Sequence, residues 1–335
     1  MVSGWLIFCA ILYGMFGKTK QPERTLLLLD VESGSVGVAL AHLKEGSGPA
    51  LFAEQRTHLA LPSTLSGALI AKQIERAVHE ALAHATLVAA RLRGNEKTVS
   101  KGELAGASVF LGAPWGVPNL AAGKPDFSPH LQKFLTSEIE SFADGTPLSF
   151  YTNADAVAYH KMLSHAGGTI LLAVLRGEIM ELILLGRDGV LGYGTLPIGA
   201  HSLYRTLHTH AGLSLAEIPA VLALAKQSAS PYFEPLEAAE RHLVEQFASG
   251  VESLASVDAP QEVLIVAEEP LGSWFARALE HDASLGGLFA PEATVRTLGA
   301  RHAAAHLAVH APIPDLHLAL AALFMQGKTG AASGV

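Results

Sequence analysis

The sequence is short of the features that usually identify a protein at sight. It has one cysteine, Cys9, which excludes an internal disulfide and any metal site built on several thiolates. Charged residues make up only 16% of its 335 residues and half the chain is apolar, so disorder is excluded and one large or two moderate cores are expected. It has no surplus of positive charge. The net charge is −8 and the isoelectric point is near 6.0, which removes the electrostatic basis for nucleic-acid binding as a main activity. No apolar run reaches the roughly 20 residues that a spanning helix needs. Several signatures also fail. Gly-x-Ser-x-Gly does not occur, and Gly34-Ser35 has the wrong flanks for a nucleophile elbow. Gly17-Lys18-Thr19 ends like a phosphate-binding P-loop, but Leu12 stands where the first glycine belongs. His79-Glu80 and His84 are one residue too far apart for a zinc-protease helix.

What is present begins with the apolar run Trp5 to Phe16, followed by Lys18 and Lys20. Two readings of this leader, residues 1–24, stay open. It is an interfacial anchor with its lysines at a membrane surface, or the native start is Met15. After it, Thr25–Leu29 reads as a buried strand ending at Asp30, with a Glu32-Ser33-Gly34-Ser35 turn and a return strand Val36–Leu43. A third strand is expected at Leu51–Leu59, a helix over Leu65–Leu92, a strand at Val109–Leu111, and helices at Leu131–Phe142 and Ala154–Leu163. Gly167-Gly168 marks a break, and the pattern then restarts. Ile170–Leu175, Ile179–Leu185 and Val190–Pro197 read as strands, followed by helices from Gly199–Ser202 and after Ser214. A strand follows at Glu262–Val266, a helix at Ser273–Glu280, a strand at Val295–Leu298 and a helix at Leu316–Phe324. A hairpin plus third strand opening each half implies two related lobes with a cleft between them. The organisation expected is a first lobe over 25–166 and a second over 167–335, with the C-terminal helices returning toward the first.

Asp30 ends a buried strand just before a Ser/Gly turn. A carboxylate there can hold hydrated Mg²⁺, and the amides and hydroxyls of Ser33, Gly34 and Ser35 can bind phosphate oxygens; the plainer reading is a turn-capping Asp. His302, His306 and His310 fall at i, i+4 and i+8, but no fourth ligand can be assigned, so a plain helix is expected. His208 and His210 read as surface residues, and Trp115 and Trp274 as packing anchors.

Residues 26–40, LLLLDVESGSVGVAL, resemble the first phosphate loop of the actin-like ATPases. Residues 170–207, ending in Leu196-Pro197-Ile198-Gly199-Ala200, resemble their second, especially in the branch of FtsA and PilM, which serves cell division and pilus assembly. The likeness is diffuse and covers roughly residues 24–330. It implies a mixed α/β fold of the actin-like, ribonuclease H-like kind: two lobes of mixed sheets flanked by helices around a cleft. It also implies ATP and Mg²⁺ as ligands, with Asp30 toward the metal. Ser33, Gly34, Ser35, Gly177 and Gly199 would lie at the phosphates, and Glu217, Lys226 and Gly272 at adenosine. The partners it implies are proteins of the divisome or pilus machinery, with self-association, at the cytoplasmic face of a membrane.

The departures from that pattern are specific. No Asp occurs between Thr169 and Arg187, and the second loop has only Gly177, flanked by Arg176 and Glu178. Where the adenosine loop should be Gly-rich the chain reads Ala267-Glu268-Glu269-Pro270-Leu271-Gly272. The insertion after Trp115 is short, so the extra subdomain should be reduced. Neither Glu178 nor Glu181 stands where the missing Asp belongs. A degenerate site is expected: a pseudo-ATPase or weak ATP binder. An active ATPase or small-molecule kinase of the same superfold, and a nucleotide-independent interaction module, are the alternatives.

Overall fold

The computed structural model describes residues 23–60, 66–93, 104–142, 145–164, 167–214, 216–224, 232–254, 259–282, 285 and 287–331. The leader up to residue 22, with Cys9, and Lys226 lie outside them.

The first half opens with β1 (Arg24–Val31), β2 (Ser35–Leu43) and β3 (Ala50–His58), an antiparallel meander. Helix α1 (Gly67–Arg93) leads to β4 (Leu104–Leu111), which pairs in parallel with β1. A two-stranded ribbon, β5 (Gly116–Val117) and β6 (Asp126–Phe127), precedes α2 (Pro129–Phe142). Then β7 (Leu148–Thr152) joins β4 in parallel and runs into α3 (Asn153–Ser164). The sheet order is β3-β2-β1-β4-β7.

The second half repeats this plan. β8 (Ile170–Leu175), β9 (Met180–Gly186) and β10 (Gly189–Leu196) form the meander. Helices α4 (Ala200–Ala211), α5 (Ile218–Leu224) and α6 (Phe233–Ser253) follow. Next come β11 (Glu262–Val266), α7 (Leu271–His281), β12 (Thr294–Leu298), α8 (Ala300–Ala304) and α9 (Leu316–Ala331). The order β10-β9-β8-β11-β12 reproduces the first sheet strand for strand.

The apolar runs of β1 and β8 explain the layering. A strand buried on both faces has no polar alternation, and from Thr25 to Val31 and Ile170 to Leu175 every residue is buried. Leu27, Leu29 and Val31 face outward onto Ile74 and Val78 of α1 and Leu135 of α2. Leu171, Ala173 and Leu175 do the same with Leu207, Phe247 and Phe275 of α4, α6 and α7. The alternate residues, Leu26 and Leu28 on one sheet and Leu172 and Val174 on the other, meet α3 and α9 in a single central cluster. Those two helices are therefore a layer shared by both sheets. Phe324 of α9 anchors it, packing on Tyr151, Tyr159 and Phe110 at ring distances of 5.1, 5.5 and 5.8 Å.

Two local devices deliver residues to the space between the sheets. Thr152 and Asp155 cap α3 reciprocally, at 3.0 and 3.1 Å, a pairing that satisfies two amides the helix leaves open. The segment between α8 and α9 runs along the edge of β3, with Leu51 donating to the Val309 carbonyl at 2.8 Å and Ala308 to that of Pro49 at 2.9 Å. It shields an otherwise open sheet edge. Glu54 accepts the amides of Ala311 and Asp315, which places Asp315 at the start of α9. There its Oδ1 accepts the amides of His317 and Leu318 at 3.1 and 3.0 Å, as a helix N-cap does.

Three expectations need correction. The helix read across His302, His306 and His310 ends at Ala304, so the three do not share one helix face. No group of three metal-ligating side chains occurs among the described residues. A 21-residue helix, α6, and strand β7 stand where none was read. No helix among the described residues is long and apolar enough to cross a membrane.

Candidate functional site

The site lies where the carboxyl ends of β1 and β8 face each other, the usual place for a ligand in an open α/β sheet. Each strand turns there into its hairpin, through residues 32–34 on one side and 176–179 on the other. These two turns touch. A Cβ on Gly34 would lie 2.5 Å from Gly177 Cα, and one on Gly177 would lie 2.3 Å from Gly34 Cα. Both positions need glycine because backbone meets backbone.

Hydrogen bonds stitch the contact. Gly177 N–H donates to Glu32 Oε2 at 3.0 Å, and Glu178 N–H donates to Ser33 Oγ at 2.9 Å. The Ser35 hydroxyl donates to Glu32 Oε1 at 2.6 Å. Below them Asp30 is fully buried between two guanidinium groups. Arg56 Nη2 donates to Asp30 Oδ2 at 2.6 Å, and Arg176 Nη1 reaches both Asp30 oxygens at 3.2 and 3.3 Å. Arg56 also donates to Asp315 Oδ1 at 2.8 Å and to Ser35 Oγ at 2.6 Å. One arginine thus ties the end of β1, the start of β2 and the cap of α9. Burial alone would push the Asp30 carboxyl up, but Arg176 and then Arg56 hold it far below the usual carboxylate range. Asp315 is likewise lowered: Arg56 outweighs its burial.

Apart from Lys226, which lies outside the described residues, each residue expected at the site has a definite place. Asp30, Ser33, Gly34, Ser35 and Gly177 do come together, though in contact with one another. Gly199 lies behind the second turn. A Cβ there would strike the Gly177 and Arg176 carbonyls at 2.3 and 2.4 Å, which already accept the first amides of α4 from His201 and Ala200. Glu217 is exposed and accepts from the Ser214 amide and hydroxyl at 2.8 and 2.6 Å, ahead of α5. Gly272 sits in the first turn of α7, donating to the Glu268 carbonyl at 3.0 Å. A cavity of about 80 Å³ remains, lined in part by His58, Tyr204, Glu268 and His317. Small-molecule pockets are usually about 300–1,000 Å³.

Five site residues had no signal of their own or were given no role: Glu32, Arg56, Arg176, Glu181 and Asp315. Arg56 lies on an edge strand with no motif around it. Glu181, on β9, is buried, accepts the Tyr193 hydroxyl at 2.7 Å and leaves Oε2 without a hydrogen bond. Burial pushes its carboxyl up, against the opposing pull of Arg176. Glu178 is held outside the contact by Arg205, at 2.8 and 2.6 Å, and by His201. Although burial opposes it, hydrogen bonds from Arg205 and His201 bring its carboxyl down to about 2.

These shifts set a pH profile. Burial and the charge of Arg176 lower His317 from 6.5 to about 3, and burial with His306 lowers His160 to about 4. Below 6.5 the unfolded chain takes up those protons while the folded chain does not, so stability falls with pH. The depressed carboxylates Asp30, Asp315 and Glu178 add to the loss as pH drops below about 4. Glu181 runs the other way, its contribution fading as pH rises above 4.5. The expected result of urea melts from pH 7.5 to 4 is a stability that declines from about 6.5 downward. His317→Gln should flatten the upper part by as much as about 1.4 kcal/mol per pH unit; an unchanged slope would contradict the assignment.

No protein-family model and no curated protein sequence matches the chain. Solved structures do. The PilM–PilN type IV pilus biogenesis complex matches at a TM-score of 0.54 and 12% identity, over 91% of this chain and 99% of that one. Ethanolamine utilization protein EutJ from Carboxydothermus hydrogenoformans matches at 0.51 and 12%, over 93% of both. Strand for strand, with two like sheets and a shared helical layer, the chain has the two-lobed fold of the actin-like ATPases.

Proposed function

We propose that this chain is an actin-fold scaffold that acts through protein contacts and does not hydrolyse nucleotide. The observation that carries the reading is the closed contact between the two hairpin turns. In this fold Mg²⁺ and the phosphates of ATP belong between those turns and beside Asp30. Here the Glu32 carboxylate takes the Gly177 amide and Arg56 takes Asp30. The residues present do not fit Mg-ATP: a cation would meet two guanidinium groups, and a triphosphate would meet a carboxylate. A kinase of this superfold is disfavoured on related grounds, since the cleft carboxylates Asp30 and Asp315 are committed to Arg56.

The partner class follows from the fold relative that was solved in a complex, PilM with PilN. By that analogy the chain holds a protein of a pilus- or division-type assembly at the cytoplasmic membrane face. Residues 1–24 would provide peripheral membrane contact, and self-association would extend the array. Calorimetric titration of the wild type with Mg-ATP and Mg-ADP, with a phosphate-release assay, tests the central claim. No binding heat and no released phosphate are expected; micromolar binding with turnover would overturn it.

A further inference from the structure

The closed contact has a chemistry of its own. Two donors converge on one carboxylate: the Gly177 amide, from the second half of the chain, and the Ser35 hydroxyl, from the first. The hydroxyl is oriented in turn by Arg56 Nη1 at 2.6 Å. Glu32 itself is buried, 6% exposed, and stands on the first turn, three residues before Ser35. An amide, a hydroxyl and a nearby guanidinium around a buried carboxylate are the elements of an anion site. In this chain the anion is a side chain of the protein.

We propose that Glu32 is a tethered anion that fills, in cis, an anion-binding site formed jointly by the two hairpin turns, and so closes it to the phosphates of any external ligand. A group carried on the same chain has an effective concentration of at least millimolar order, and one already held in its bound geometry is higher still. Free anions at ordinary concentrations therefore do not displace it. The small cavity beside the site, which Glu32, Gly34, Ser35 and Gly177 help to line, gives a free carboxylate a way in once the side chain is removed. The inference rests on the scaffold reading above and goes beyond it, because it names what occupies the site and what class of ligand replaces it.

The test is chemical rescue of Glu32→Ala. Its melting temperature is measured while sodium acetate or formate replaces sodium chloride at constant ionic strength. The expected result is a variant several degrees less stable than wild type in chloride, with a saturable recovery in acetate and formate. Wild type and Glu32→Gln, whose sites stay filled, should not respond. No acetate-specific recovery in Glu32→Ala, or an equal response in the wild type, overturns the proposal. If Glu32→Ala does not fold, the Gly177 amide decides. Its proton resonance should lie downfield in the wild type and move upfield in Glu32→Gln, and an unchanged resonance means that no charged acceptor is there. Failure here leaves the Mg-ATP result untouched, whereas micromolar Mg-ATP binding with turnover in the wild type would refute the scaffold reading and, with it, the closure by Glu32.

Discussion

Arg56→Ala should lower the free energy of unfolding by about 3–5 kcal/mol, the usual cost of leaving a buried charge without its partner. The reason is the number of groups that Arg56 serves. Removing it leaves Asp315, only 11% exposed and held ionised by the guanidinium, without its cation, and leaves the fully buried Asp30 with Arg176 alone. It also releases Ser35 from its orientation. Arg56→Lys should recover only part of the loss, because an ammonium cannot reproduce the planar fork that meets both carboxylates. Adding Asp30→Asn to Arg56→Ala should cost less than the two single losses together, since both changes remove the same Arg56–Asp30 ion pair. Urea denaturation at pH 7, read as the midpoint at constant slope, measures all three. A loss below 1 kcal/mol for Arg56→Ala would show that the cluster is hydrated and its members independent.

Gly177→Val is expected to cost about 3 kcal/mol by a different route. The new Cβ would lie 2.3 Å from Gly34 Cα and 2.6 Å from Gly34 N, and backbone atoms cannot turn aside as a flexible side-chain end does. Overpacking of a tight contact costs about 1–3 kcal/mol, and prying the turns apart also loses the bonds from Gly177 to Glu32 and Glu178 to Ser33. Gly67→Ala is the control: a Cβ there meets nothing within 4 Å, and alanine is the better helix former, so stability should hold or rise slightly. Faster hydrogen exchange at the amides of residues 177 and 178 in Gly177→Val would locate the damage, and wild-type exchange there would contradict it.

The repeat was legible because strand runs such as Leu26–Leu29 and Ile170–Leu175 are apolar on both faces and bounded by turn residues. β7 was missed because Leu148–Thr152 is short and mixed. α6 was missed because its buried residues, from Leu236 to Val251, are separated by many charged ones and follow a stretch without clear caps. At the site, the Asp30 turn and Gly177 could be found from local chemistry. Arg56 could not, since it acts through Asp315, 259 residues away in sequence. Glu32 was read as part of a turn because nothing local shows which amide its carboxylate will meet. The sequence departures marked the second turn as unusual, since Arg176 and Glu178 flank its one glycine. They could not say that the vacancy had been filled from the opposite turn.

The shared helical layer bears on how the chain is made. Leu26 and Leu28 of the first sheet pack in one cluster with Leu318 and Leu320 of α9, and Asp30 lies beside Arg56, which is anchored on the cap of that same helix. The inner face of the first sheet precedes α9 in the chain by more than the whole second meander, and it cannot be completed until that helix has been synthesised. Until then that face must stay open, and the emergence of α9 is the event that seals both halves at once.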